Sequence, residues 1–202
     1  MSAFTWPPEP LPSGIEGAAE PAEQIDAAVL VPLFLLEPSG EPHLVLTRRR
    51  ADLRRHPGEI SFPGGRRDPG DANLAETALR EAEEEIGLER TSVRLLGELP
   101  PTSTFATKYV IHPFVGRIPA GLAWQLSPKE VDAVLELSLS AVAEGRTRTQ
   151  IERRGFTFET DAYLVAEHLI WGATARIIEN LLERMGEGHF FEGGLPSSGS
   201  SF

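Results

Sequence analysis

Glu81, Glu84 and Glu85, with Arg80 beside them, are the residues of this chain best placed to do chemistry. The stretch from Arg80 to Leu88 reads as the end of a helix, with Gly87 just past its last turn. At about 100° per residue and with Glu81 at zero, Glu85 falls at about 40° and Glu84 at about 300°. Glu83, at about 200°, lies on the other side. Ala75, Leu79, Ala82 and Ile86 cluster between about 100° and 160° and form the face expected to be buried. Three carboxylates are therefore expected to project together from a second face, away from the core. Like charges at this spacing cost a few tenths of a kcal/mol each in a bare helix, and a divalent cation reverses that sign. Hard oxygens at this density suit Mg²⁺ or Mn²⁺. Arg80, at about 260°, borders the acidic face and can hold a carboxylate by a fork-like ion pair. A glutamate-rich helix face is more often merely solvated, so the preceding residues must decide.

Those residues are Ser61-Phe62-Pro63-Gly64-Gly65, a strand end with two glycines. Arg66-Arg67-Asp68-Pro69-Gly70-Asp71 follows as a tight loop, with Asp71 the expected N-cap. Strand, glycine loop and acidic helix together resemble the Nudix hydrolase signature, in which a Gly and a loop lead to a helix carrying Arg-Glu-x-x-Glu-Glu-x-Gly-hydrophobic. The match holds throughout Arg80 to Leu88. In one departure, Ala72 stands where the signature has Glu and the loop is one residue longer; Asp68, Asp71 and Glu76 are the candidate stand-ins. A second block runs from Val45-Leu46-Thr47-Arg48-Arg49-Arg50-Ala51-Asp52-Leu53-Arg54 through Gly58 to Phe62-Pro63-Gly64-Gly65. It is similar to the extra motif of the coenzyme A pyrophosphatase branch, departing at Val45 and Arg50. The two blocks cover about residues 45 to 88.

The resemblance implies an α+β fold, a mixed β-sheet sandwiched between helices as α/β/α. It implies attack by water on phosphorus in a nucleoside diphosphate linked to another group, with Mg²⁺ or Mn²⁺ as cofactor. Carried over by position, Arg80, Glu81, Glu84 and Glu85 are the catalytic residues. Glu81, Glu84 and Glu85 would hold the metal, and Gly65 would let the backbone turn close to it. The general base would come from this helix or from a later loop, where Glu130 is the candidate. The coenzyme A branch implies 3′,5′-adenosine bisphosphate and 4′-phosphopantetheine as products. Arginines suit the additional 3′-phosphate, and Arg49, Arg54, Arg66 and Arg67 are the substrate-binding candidates. Other nucleoside diphosphate derivatives (ADP-ribose, NADH, a dinucleotide) are the alternative substrates. A non-catalytic nucleotide-sensing module is a further alternative, opposed by the intact Arg-Glu-x-x-Glu-Glu.

Composition narrows the partners. A net charge of −11 argues against nucleic acid or a membrane surface, whereas seven arginines between Arg48 and Arg67 suggest a small anionic ligand. No cysteine is present, which removes disulfides, thiolate metal sites and a Cys nucleophile. The five histidines show no paired ligand spacing, although His56 sits inside the basic block. No Gly-x-Ser-x-Gly elbow and no Walker loop occurs. No secretory signal and no apolar run of about 18 residues is seen, so cytoplasm is the expected location. Oligomeric state is open, with a homodimer as one option.

The elements that must position the site follow in order. Residues 1–24 read as a Pro/Ala-rich arm, 25–190 as the domain and 191–202 as a Gly/Ser-rich flexible tail. Ala27 to Leu36 is expected as a strand buried on both faces, with Pro32 marking a bulge or edge. His43 to Thr47 is its hairpin partner. Val93 to Leu99 and Lys108 to Ile118 are strands, separated by a Pro/Ser/Thr loop. Ser127 to Leu139 is a further element. Thr149 to Thr157 and Ala162 to Trp171 are expected to form a hairpin around Thr160-Asp161. Ala173 to Met185 is an amphipathic helix.

Overall fold

The structure is a computed structural model that describes residues 25–52, 58–104, 108–153 and 155–186. The expected arm 1–24 and tail 191–202, together with Arg54, His56 and His189, lie outside the described residues. The chain runs β1 (Ile25–Leu36), β2 (Glu41–Arg49), β3 (Ile60–Ser61), β4 (Gly64–Arg66), α1 (Leu74–Ile86), a 3-10 turn (Arg90–Ser92) and β5 (Arg94–Glu98). It continues through β6 (Thr102–Ser103), β7 (Tyr109–Arg117), β8 (Val131–Ser138), α2 (Leu139–Glu144), β9 (Arg146–Arg153), β10 (Phe156–Val165), β11 (His168–Trp171) and α3 (Gly172–Gly186).

β1 is the strand on which the main sheet is built. It runs parallel to β7 from Ile25↔Tyr109 to Leu33↔Arg117. On its other side it changes partner: β4 pairs with Ala27 to Val29, and β2 pairs from Leu33 onward, both antiparallel. Pro32 falls at that change. Backbone N–H groups two apart in a strand point the same way. Leu30 donates its N–H to Pro63 O at 2.9 Å on the β4 side, so the position that lacks an N–H sits where one partner has ended and the next begins. The proline thus costs no ladder bond. The remaining strands extend the order to β3-β2-β1-β7-β5, with β6 on β7 and β8 on β2.

Each face of this mixed sheet has its own core. On one face Ala28, Leu30, Phe34 and Val45 pack against Ala78, Ala82, Ile86 and Leu88 from α1 and its end. On the other, Val31, Leu33, Leu44, Leu46 and Val115 meet Val142 of α2, Ile170 of β11 and Ile177, Ile178 and Leu181 of α3. Both parities of β1 are buried, which accounts for its unbroken apolar run. The α/β/α expectation holds, with a three-stranded sheet, β11-β10-β9, added on the second face. Among the described residues no helix is long and apolar enough to cross a membrane.

Three local expectations need correction. The hairpin does not turn at Thr160-Asp161: those residues pair in mid-strand, Thr160 with Thr149 and Asp161 with Arg148. The chain reverses instead next to Gly155, whose φ of +78° only glycine adopts without strain, and again after Val165. The threonine-rich segment is β-prone and continues straight. Second, α2 went unanticipated, because six residues are too few to display a period. It is started by Ser138, whose Oγ accepts the Ala141 N–H at 3.3 Å. Third, the Pro/Ser/Thr loop contains β6, paired to β7 at Thr102↔Ile111.

The packing sets an expectation for stability. Ile86 is fully buried beneath the sheet, whereas Leu79 is only partly buried at the margin of the same cluster. Ile86→Ala is expected to cost about 2–5 kcal/mol, and Leu79→Ala clearly less. Urea unfolding of the two variants against wild type checks this order; equal losses would contradict the burial difference.

Candidate active site

The site is assembled where β4 and its glycines run under α1. The helix starts at Asn73, whose side chain accepts the Glu76 N–H at 2.9 Å, so Asn73 and not Asp71 is the N-cap. Asp71 has a different task. Its carboxylate takes a fork from Arg80, Nε to Oδ1 at 3.0 Å and Nη2 to Oδ2 at 3.1 Å. It also accepts the Asp68 N–H at 2.9 Å and the Thr77 hydroxyl at 2.8 Å. Of the three candidates for the missing loop glutamate, only Asp71 reaches Arg80; Glu76 turns to Arg90 at 3.4 Å. The Arg80 guanidinium holds the Asp71 carboxyl far below the usual carboxylate range, more than offsetting burial, with the Asp68 N–H and Thr77 hydroxyl helping.

The same guanidinium reaches three further groups. Its Nη2 donates to Arg66 O at 3.1 Å, tying the helix to the end of β4. Its Nη1 lies 2.9 Å from Glu81 Oε1 and 3.3 Å from Glu84 Oε2. Both Arg80 and Glu81 are well covered, with side chains 14% and 17% exposed, whereas Glu84 is 61% exposed.

Glu85 departs most from expectation. Expected on a projecting acidic face, it is instead buried, 4% exposed. The helix is rotated so that Ala78, Ala82, Glu85 and Ile86 all turn inward. On the wheel with Glu81 at zero, the buried sector of α1 extends back to about 40°, where Glu85 lies, instead of starting at about 100°. Burial pushes the Glu85 carboxyl up to about 8, and the charges of Glu81 and Glu130 push in the same direction; Arg49 and a hydrogen bond from the Gly64 backbone oppose them. Burial likewise raises the Glu81 carboxyl, against the pull of Arg80, with Glu84 and Glu130 adding to the rise. Four acidic side chains, Glu81, Glu84, Glu85 and Glu130, are thus electrostatically coupled here. Glu83 is apart from them, paired with Arg90 at 2.8 Å.

Gly65 is required by space. A Cβ there would lie 2.5–2.6 Å from the Glu81 carboxyl atoms, so any other residue would push that carboxylate out of its place. At the far end of α1, Gly87 takes φ +70° and returns its N–H to Glu83 O at 3.0 Å. The last carbonyls are closed by a loop distant in sequence: Gln125 N donates to Ile86 O at 3.0 Å and Ser127 N to Glu85 O at 2.8 Å. Local sequence held no sign of these two partners.

The arginine block divides. Arg48 forks onto Asp132 at 2.9 and 2.7 Å. Arg50 forks onto Asp52 at 2.9 and 2.7 Å and donates to Pro128 O at 2.7 Å. Arg67 makes long bonds to the Asp71 and Ala72 carbonyls, 3.2 and 3.3 Å, and Arg66 is exposed at the end of β4. Arg49 makes none of these pairings, and its charge acts on Glu85. Of the described histidines, His43 stacks on Phe34 with ring centroids 5.2 Å apart, His112 lies between Glu98 at 3.1 Å and Asp26 at 3.6 Å, and His168 is 3.8 Å from Glu167. A depression of about 360 Å³ lined by Leu35, Arg94, Arg117 and Ile118 includes none of the site residues.

Hard, buried carboxylate oxygens that repel one another fit a divalent cation, as does the Gly65 backbone lying against Glu81. Among the described residues no three acidic or histidine side chains already stand close enough to cage one. Glu81 and Glu84 are turned to Arg80, so a cation shared by Glu81 and Glu85 requires side-chain rotation within the fixed backbone.

Comparison with known proteins agrees with this architecture. The NUDIX domain model matches residues 26–157. The uncharacterized Nudix hydrolase NudL of Photorhabdus laumondii is 40% identical over 161 residues, covering 79% of this chain and 84% of that protein. The uncharacterized Nudix hydrolase NudL of Shigella flexneri is 40% identical over 169 residues, covering 83% and 86%. Among solved structures, the Nudix hydrolase RenU of M. smegmatis aligns with a TM-score of 0.58 at 16% identity, over 81% of this chain and 87% of that one. The NUDIX domain of Shewanella oneidensis NrtR, solved with ADP ribose, aligns with a TM-score of 0.54 at 16% identity, over 81% and 90%. At that identity the two structures bear on the fold alone. With that domain spanning more than half of the chain and relatives 40% identical along 79% and 83% of it, the chain belongs to the Nudix hydrolase superfamily.

Proposed function

We propose that the pyrophosphate linkage opened by this Nudix hydrolase is that of coenzyme A, giving 3′,5′-adenosine bisphosphate and 4′-phosphopantetheine. The observation that carries the hydrolytic part is the buried Glu85 beside Glu81 and Glu130, a centre whose repulsion a divalent cation relieves. The coenzyme A assignment is supported by the Val45 to Gly65 block and by Arg66, whose carbonyl Arg80 holds, with Arg67 next to it. The catalytic unit we assign is residues 25–190, and a small-molecule substrate is its partner.

Glu81 and Glu85 would hold Mg²⁺ or Mn²⁺, with Glu84 in support and Gly65 keeping the backbone close. The bound cation would neutralise charge on the diphosphate oxygens and lower the pKa of water. Arg80, locked by Asp71, orients the Glu81 carboxylate by a contact that costs little to maintain once the fork is formed. Glu130, coupled to both glutamates but outside the Arg80 network, is our candidate to take the proton from the attacking water. Arg66, exposed at the end of β4, and Arg67 just after it are the candidates for the 3′-phosphate; Arg54 is a further one, outside the described residues.

Glu85→Gln is expected to lower Mg²⁺-dependent kcat by at least about a hundredfold while the circular dichroism spectrum is retained. Mass identification of products from coenzyme A, ADP-ribose, NADH and a diadenosine polyphosphate decides the substrate. Near-wild-type turnover by the variant at saturating Mg²⁺ would overturn the ligand assignment, and a better substrate among the other three would overturn the coenzyme A reading.

A group whose folded pKa is raised binds its proton more tightly in the folded chain than in the unfolded one. For Glu85, stability in EDTA should therefore fall as pH rises from about 4.5 to about 8. Thermal melts across this range should show that slope in wild type and a flatter one in Glu85→Gln. Saturating Mg²⁺ should flatten it in wild type too. An equal slope in both proteins without cation would place the titration elsewhere.

Coenzyme A and dephospho-coenzyme A differ only in the 3′-phosphate. Arg66→Ala or Arg67→Ala is expected to narrow the kcat/KM preference between them by roughly tenfold to a hundredfold, the worth of a charge-assisted contact of about 1.5–3 kcal/mol. An unchanged ratio in both variants would remove these arginines from 3′-phosphate recognition.

A further inference from the structure

Consecutive arginines on a strand point to opposite sides, and the Arg48-Arg49-Arg50 run shows what each side is for. Val45, Thr47 and Arg49 share the face turned to α1, since Val45 packs with Ala78, Ala82 and Ile86. Arg48 and Arg50 turn the other way and are committed: Arg48 to Asp132, Arg50 to Asp52 and Pro128 O. Pairing between β2 and β8 slips at this point, Arg48 opposing Ala133 and Arg49 opposing Val131, which leaves Asp132 as the extra residue that takes Arg48. Arg50 N also donates to Glu130 O at 3.0 Å. The outer arginines thus fasten the loop that carries Glu130, and the middle one is left on the face turned to α1.

Arg49 is unlike its neighbours. Its Nε is shut off from solvent and has no hydrogen-bond partner among the described residues. A guanidinium stays charged whatever its surroundings, and a buried donor without an acceptor is costly. Such a group in a native fold calls for an explanation, and a ligand is one. Glu85 feels the Arg49 charge, and the strand face that carries Arg49 is the one turned to α1. In coenzyme A the 3′-phosphate is separated from the diphosphate by the width of a ribose, and one anchored guanidinium cannot serve both.

We propose that Arg49 binds the scissile diphosphate, donating to its phosphoryl oxygens beside Glu81 and Glu85, and takes no part in reading the 3′-phosphate. This rests on the reading of that centre as the place of hydrolysis, and it divides the basic block into an inner arginine for the reacting group and outer ones for loop support and the far phosphate.

The test uses ADP as a minimal diphosphate and Ca²⁺ as the cation. In titration calorimetry, Arg49→Ala should bind ADP about tenfold to a hundredfold more weakly than wild type, and Arg49→Lys should recover part of the loss, since it keeps charge without the fork. Mn²⁺ affinity, read by electron paramagnetic resonance, should be unchanged or tighter, because the variant removes a positive charge from beside the acidic centre. kcat/KM for coenzyme A and dephospho-coenzyme A should fall by one common factor. ADP binding unchanged in Arg49→Ala would overturn the proposal. So would a selective loss on coenzyme A, which would put Arg49 at the 3′-phosphate. If Arg49→Ala fails to fold, Arg49→Lys decides, an ADP affinity equal to wild type counting against the fork. If wild type turns over neither coenzyme A nor its dephospho form, the substrate assignment fails and the ADP titrations still decide Arg49.

Discussion

One guanidinium fastens the site. Arg80 donates to the Asp71 carboxylate, to the Arg66 carbonyl and to Glu81 and Glu84, so loop, strand end and helix meet at a single planar group. The pair it forms with Asp71 is nearly dry, with side chains 14% and 8% exposed. Removing one partner of a buried ion pair leaves an uncompensated charge and is far more harmful than losing a surface pair. The remaining Asp71 oxygen contacts, from Thr77 and the Asp68 backbone, satisfy the carboxylate and make the arrangement affordable. Everything else at the centre is positioned relative to this knot: Gly65 must be bare because Glu81 lies against it, and Glu81 lies there because Arg80 holds it.

The centre itself is held in electrostatic tension. Glu85 could have been solvated by a small rotation of α1, but Ala78, Ala82 and Ile86 fix the helix against β1 and carry Glu85 inward with them. Hydrophobic packing over a whole helix face, at about 25 cal/mol per Å² buried, sets the orientation, and the carboxylate must follow. A fold that buries an acid beside other acids has a built-in affinity for positive charge, and Arg49 and Arg80 supply part of it from the protein.

Much of this was legible in the chain. The spacing of Glu81, Glu84 and Glu85, the glycine pair and the arginine block pointed to the right elements and the right superfamily. β1 and α3 were readable because long apolar patterns average over local exceptions, Pro32 included. The rest is illegible locally because the deciding contact is distant or small. Asn73 and Asp71 are two residues apart and both are good caps, so only the Arg80 fork tells them apart. The depth of Glu85 depends on a shift of the helix by a fraction of a turn. Asp132, Gln125 and Ser127 carry no local signature, since they act across more than 35 residues of chain on Arg48 and on the end of α1.

The segment from Gln125 to Asp132 looks like an ordinary surface connection, yet it has no freedom of length. It closes the last carbonyls of α1 through Gln125 and Ser127, receives Arg50 at Pro128 and Glu130, and ends in the Asp132 bulge gripped by Arg48. Adding or deleting a single residue would shift every one of these contacts by one place along the chain and move Glu130 relative to the glutamates that feel its charge. Any retooling of this scaffold for a new substrate, by natural drift or by design, must therefore vary side chains in this segment and keep its residue count, and must seek insertions elsewhere.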